Sequence, residues 1–172
     1  PMALHNLSIR TLEQEAIADI AQAFLDAGWP NKPTSTFEKY AQEQETGKRH
    51  VWVAYQDEAF AGFVTLLWVS AYPPFQEKHI PEINDLNVLP DFRQKGIGRT
   101  LLKQAEHEAF KRSDSVGLGV GLYADYGAAQ RLYVKQGYIP DGKGITYEHK
   151  TVLPGETAIL DDELILWMVK ER

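Results

Sequence analysis

Ile83-Asn84-Asp85-Leu86-Asn87-Val88-Leu89-Pro90-Asp91-Phe92-Arg93-Gln94-Lys95-Gly96-Ile97-Gly98-Arg99-Thr100-Leu101-Leu102 runs from an apolar strand through a basic, glycine-bearing turn into an amphipathic helix. A helix that opens this way leaves its first backbone N–H groups without intrahelical acceptors, and its dipole favours negative charge at the same end. Arg93, Lys95 and Arg99 add cations there. Glycines at 96 and 98 let the main chain approach an oxyanion closely, where a side chain would block it. The stretch reads as a pyrophosphate cradle. The dinucleotide fingerprint would need a third glycine near Leu101, and the Gly-Lys-Ser/Thr of a P-loop is absent. The other reading of Arg93-x-x-Gly96-x-Gly98 is a glycine-bearing helix start with no ligand.

Upstream, residues 7–10 read as a first strand, and Thr11-Leu12-Glu13-Gln14 fits a capping box. Ile17, Ile20, Ala21 and Phe24 recur at helical spacing up to a stop at Gly28. Pro30 and Pro33 lead to a helix over 36–45, which Gly47 ends. Residues 51–55 and 60–68 form a hairpin pattern around Gln56-Asp57-Glu58. Residues 70–81, with Tyr72-Pro73-Pro74-Phe75 and His79, are expected to be irregular, either a binding loop or a surface connection.

Downstream, Ile97, Leu101, Leu102, Ala105 and Ala109 make one helical stripe. A strand over 116–122 and a helix over 126–136 follow, the latter closed by Gly137. Two last strands cover 138–140 and 164–170, with Gly142, Gly144, Pro154 and Gly155 as turn formers between them. The order β-α-α-β-β-β-α-β-α-β-β predicts an α/β sheet of mixed direction. Gly117, Gly119 and Gly121 share one strand face, which serves either cofactor clearance or, preferably, close packing.

Composition narrows the function classes. A chain of 172 residues is expected to form a single domain over 1–172, with ordinary apolar and charged fractions of 44% and 24%. It has no cysteine, which excludes disulfides, thiolate metal sites and a cysteine acyl-enzyme. The formal charge of −6 argues against a general nucleic-acid binder. No apolar run reaches the ~18 residues of a membrane span, and no signal pattern opens the chain. Pro1, ahead of Met2, is set aside, and a cytoplasmic protein is expected.

The strand–turn–helix from Leu86-Asn87-Val88 to Leu102 resembles motif A of the GNAT family of N-acetyltransferases. Ala129-x-x-Leu132-Tyr133-x-x-x-Gly137-Tyr138 resembles that family's motif B. The resemblance implies a mixed, mostly antiparallel central sheet, splayed between strands 4 and 5 and flanked by about four helices. It also implies acetyl-CoA as co-substrate and no metal. Arg93, Gln94, Lys95, Gly96, Ile97, Gly98, Arg99 and Thr100 would surround the pyrophosphate. Leu86, Asn87 and Val88 lie where the backbone pairs with the pantetheine arm. Tyr133 matches the tyrosine that protonates the departing thiolate, although by itself it also fits an ordinary core aromatic. Many members carry asparagine where this chain has Tyr126, so Asp125 or Tyr126 would have to make that cofactor contact.

Acyl transfer needs a neutral amine, whereas an alkylammonium has a pKa near ~10, so a base is required. Glu82 is the first choice for base or acceptor-amine anchor and Asp85 the second; in a regular strand Glu82 shares a face with Asn84, Leu86 and Val88, with Asp85 opposite. Both also fit plain surface carboxylates. His79 is a further candidate base, while His5, His50, His107 and His149 have no ligand-like grouping. Asp161-Asp162 suits an acceptor mouth or, more simply, a turn. The expected function is transfer of acetyl from acetyl-CoA to a primary amine by direct attack in a ternary complex. A small-molecule acceptor is favoured over a protein, and the acidic balance mildly favours a cation. The alternative is a non-catalytic acyl-CoA-binding sensor, and a more distant one is an interaction protein with a ligand-free cradle. A homodimer is compatible with strand exchange by the last strands.

Overall fold

The computed structural model describes residues 6–172, so Pro1, Met2 and His5 lie outside the described residues. Two compact units emerge: one holds the chain up to Leu67 together with Asn84–Glu108, the other Trp68–Ile83 and Ala109–Arg172.

In the first unit, β1 (Leu7–Thr11), β2 (Arg49–Gln56), β3 (Ala59–Leu67) and the later part of β4 (Glu82–Val88) lie side by side in that order. The β2–β3 hairpin closes on two residues, Asp57 (φ 50°) and Glu58 (φ 63°), both left-handed, which matches the twist of the flanking strands. Helices α1 (Ile17–Asp26) and α2 (Thr34–Glu45) bury Ile17, Ile20, Phe24, Phe37 and Ala41 against Val51, Val53, Phe63 and Leu89. Phe24 is the centre of this core, with ring centroids of Trp29, Phe37, Phe60 and Phe63 between 5.5 and 5.9 Å away.

The expected capping box at Thr11 does not form. Thr11 stays extended and pairs with Trp52, and the helix begins as a 3-10 turn at Gln14–Ala16 whose cap, Glu13, makes no side-chain bond. Sheet pairing has taken the residue that a cap would need.

Thr65 Oγ1 donates to the Asn84 carbonyl at 3.0 Å, and Leu89 N to the Ala61 carbonyl at 2.9 Å, which hold β4 against β3. Between these contacts the strands are too close for a side chain: a Cβ on Gly62 would stand 2.4 Å from Asn87 O. Because that obstacle is backbone, Gly62→Ala should cost about 1–3 kcal/mol through displacement of β4. Urea unfolding reads this directly; an unchanged midpoint would refute the close approach.

In the second unit, Glu82 and Ile83 of β4 pair in parallel with Gly117 and Leu118 of β5 (Ser115–Gly121). From β5 outward come β8 (Leu164–Glu171), β6 (Ile139–Tyr147) and the short β7 (Lys150–Thr151), each antiparallel to its neighbour. The architecture is mixed α/β and mostly antiparallel, with β4–β5 the one parallel pair among the described residues. Five α-helices occur among the described residues, in line with the about four expected. One of them, α3 (Pro73–Glu77), lies inside the stretch expected to be irregular. Pro73 and Pro74 occupy its first turn, where a missing N–H costs nothing. Gly142 and Gly144 are not in a turn between strands: they sit in β6, where the register against β8 shifts between Pro140 and Ile145.

One buried cluster of this unit is Tyr72, Phe75, Ile80 and Trp167, with Tyr72 flat on the indole at 4.2 Å. The β5 glycines serve side-chain packing. A Cβ would meet the Phe75 ring at Gly117, Ile165 at Gly119 and the Tyr126 ring at Gly121.

Candidate functional site

After β4, Pro90–Phe92 forms a single 3-10 turn, Arg93 is extended, and the chain bends through Gln94 (φ 60°) and Gly96 (φ 84°) into α4 (Ile97–Ala109). Two left-handed residues bracket Lys95, and left-handed residues set among right-handed ones are the backbone pattern of an anion nest. Arg93 Nε donates to the Val88 carbonyl at 3.1 Å while its guanidinium lies 5.1 Å from the Trp29 ring. Lys95 Nζ donates to the Asp91 carbonyl at 3.0 Å. Both cations therefore brace the turn and remain exposed. Thr100 caps it from below, its N and Oγ1 donating to Gly96 O at 3.0 and 3.1 Å. Among the described residues, the amides from Gln94 to Arg99 have no backbone acceptor in this turn. Ile97, 1% exposed, anchors the helix start in the core, leaving Gln94, Lys95, Gly96 and Arg99 on the surface. The donor set and its charge fit a pyrophosphate.

β4 is not a regular strand. Asp85 has φ 57°, so the strict alternation expected along Glu82–Val88 breaks there. The Asp85 carboxylate takes Lys32 Nζ on both oxygens, at 2.6 and 2.8 Å, the Tyr40 hydroxyl at 2.7 Å and Asn87 Nδ2 at 2.7 Å. Burial, and then Asp85, push the Tyr40 phenol well above its ordinary range, so it remains a donor. Beside it, Arg49 is 7% exposed; it donates to Glu43 at 2.6 Å, Thr65 at 2.6 Å and Asn84 at 3.1 Å, and lies over the Tyr40 ring.

In the second unit, Glu82 is buried at 5% exposure and accepts the Ser70 hydroxyl at 2.5 Å, while Ser70 Oγ accepts Tyr72 N at 3.0 Å. Tyr133, on α5 (Gly127–Lys135), is 6% exposed, and its ring lies 5.9 Å from Tyr138. Tyr126 packs over Gly121 and donates to Asp162 at 2.8 Å, and Tyr123 donates to the same carboxylate oxygen. Hydrogen bonding to Asp162 pushes the Tyr123 phenol up to about 12; burial first, then Asp162, raise Tyr126. Asp161 accepts from Tyr147 and the Glu163 amide, so the two carboxylates organise the approach to β8.

His79 is exposed, His50 stacks on Trp52 at 4.0 Å, and no group of metal-ligating side chains occurs among the described residues. Nor is any helix among them long and apolar enough to cross a membrane. The sequence reading missed Lys32, Tyr40, Ser70 and Gln130, whose amide donates to Gly121 O at 2.8 Å. Only Gln130, next to motif-B Ala129, carried a local signal.

The profile of the acetyltransferase (GNAT) family matches residues 14–138. An uncharacterized N-acetyltransferase of Archaeoglobus fulgidus is 39% identical over 92 residues, which are 52% of this chain and 59% of that relative. The chain thus matches less than two thirds of its curated relative's length. Among solved structures, ribosomal-protein-alanine N-acetyltransferase of Brucella melitensis is similar with a TM-score of 0.69 and 20% identity, over 96% of this chain and 99% of that one. Spermidine N-acetyltransferase of Vibrio cholerae, solved with CoA and spermine, gives 0.67 and 17%, over 96% and 95%. At these identities the likeness speaks to the fold. With the profile match extending from the first helix through motif B, the chain belongs to the acetyltransferase (GNAT) family.

Proposed function

We propose that the chain is an acetyl-CoA-dependent N-acetyltransferase acting on a primary amine of a small cationic molecule, by direct attack in a ternary complex. The observation that carries this reading is the run of amides from Gln94 to Arg99, without backbone acceptors among the described residues and flanked by exposed Arg93, Lys95 and Arg99. Each charge-assisted bond to a pyrophosphate contributes about 1.5–3 kcal/mol, so a few suffice for micromolar affinity. Leu86, Asn87 and Val88 offer strand backbone to the pantetheine arm.

Bound acetyl-CoA supplies the thioester carbonyl. Tyr133 then holds a proton for the sulfur that leaves, and a phenol retains that proton at neutral pH. Glu82, buried beside the Ser70 hydroxyl, serves as the proton acceptor; Asp85 faces the Lys32 ammonium. The net charge of −6 and the fold likeness to a polyamine acetyltransferase support a cationic acceptor. A cytoplasmic protein follows from this reading, since acetyl-CoA is available there.

The test is a thiol-release screen with acetyl-CoA against monoamines, diamines, polyamines, amino acids, aminoglycosides and peptide amino termini. Turnover of a small amine is the expected result. Tight CoA binding with no turnover of any amine would replace the enzyme with a sensor.

A further inference from the structure

The Asp85 carboxylate sits in a seat shaped for an organic cation. Tyr40 on α2 and Asn87 on β4 donate to its two oxygens, and the Phe63 ring of β3 lies 5.9 Å from the ammonium held there. Carboxylate, neutral donors and an aromatic face together select an alkylammonium. The backbone is also committed: a left-handed non-glycine residue costs about 1–3 kcal/mol and persists where its surroundings over-determine it.

The present occupant is Lys32 Nζ, with side-chain exposures of 18% for Lys32 and 15% for Asp85. Lys32 differs from the other partners in what carries it. Tyr40, Phe63, Asp85 and Asn87 belong to a helix and to sheet strands, whereas Lys32 lies in the connection between α1 and α2, on a flexible four-carbon stem. Swapping one alkylammonium for another leaves the carboxylate paired throughout, so exchange avoids the large penalty of a buried unpaired charge.

We propose that Asp85 anchors one ammonium of a diamine or polyamine acceptor, and that Lys32 is a tethered competitor which that ammonium displaces. The proposal rests on the N-acetyltransferase reading and adds the substrate class. A close ion pair favours the protonated amine, which is the wrong state for attack. The anchored nitrogen is therefore not the one acetylated. A second amine of the same molecule reacts, and the acceptor must carry at least two.

Removing a competitor that fills the seat most of the time should tighten the acceptor by about tenfold or more. Lys32→Met should lower KM for 1,4-diaminobutane by that factor with kcat within about twofold, and calorimetry without acetyl-CoA should show the same tightening. A Lys32 that is merely structural would leave KM unchanged or raise it, and that result overturns the proposal. Asp85→Asn in the Lys32→Met background should abolish the gain; a gain that persists also overturns it. The wild-type chain supplies a reading independent of any variant's folding: kcat/KM for 1,4-diaminobutane should exceed that for butylamine at least about tenfold, and equality refutes the two-nitrogen requirement. Equal turnover of both amines defeats this inference and leaves the acetyltransferase standing. CoA binding with no amine turned over defeats the acetyltransferase reading, and this inference with it.

Discussion

Gly96→Val should weaken CoA binding by about 100-fold or more, with little change in the melting temperature of the unliganded chain. Gly96 has φ 84°, where a β-branched residue is a steric outlier. The left-handed conformation costs an ordinary L-residue about 1–2 kcal/mol, so the variant relieves it by rotating the peptides on either side. Those peptides carry the amides of Gly96 and Ile97. Two charge-assisted bonds lost at about 1.5 kcal/mol each come to about 3 kcal/mol, hence the factor of 100. Stability changes little because the turn is exposed and Ile97 still anchors the helix. Calorimetric titration with CoA, paired with a melt without it, separates the two effects. An affinity within threefold of the parent would mean that the turn does not grip the diphosphate.

The same residues explain why the cradle was readable in advance and its surroundings were not. Strand, turn and helix start are contiguous between Ile83 and Leu102, so a local spacing of glycines and cations encodes the geometry. Motif B is equally compact, with Gly137 ending α5 through the Tyr138 N to Tyr133 O bond at 3.0 Å. The Asp85 seat has no such local code. Lys32, Tyr40 and Asn87 come from three separate stretches, and only the packing of α2 on the sheet brings them together. The left-handed turn at Asp85 hides inside a sequence that alternates like any strand; the sole hint is that aspartate tolerates this conformation better than most residues. Thr11 shows the opposite failure. Its capping signal was sound locally but lost to pairing with β2, a tertiary contact overriding a local preference. At Tyr72-Pro73-Pro74 the signal for α3 was present, since proline favours a first helical turn, yet two prolines in a row read as a loop.

Tyr133→Phe should lower kcat by about 100-fold or more while leaving CoA affinity within about threefold. Phenylalanine keeps the ring that packs 5.9 Å from Tyr138 and fills the same buried volume, so loss of the hydroxyl alone should cost about 1 kcal/mol of stability. What disappears is the proton delivered to sulfur. An alkyl thiol has a pKa near ~8.5, so the thiolate can depart without help, but against a rising energy as the tetrahedral intermediate collapses. A variant that turns over within threefold of the parent would show that the thiolate leaves unassisted; Tyr133 would then be a packing residue of α5, and protonation of the leaving sulfur would need no protein group at all.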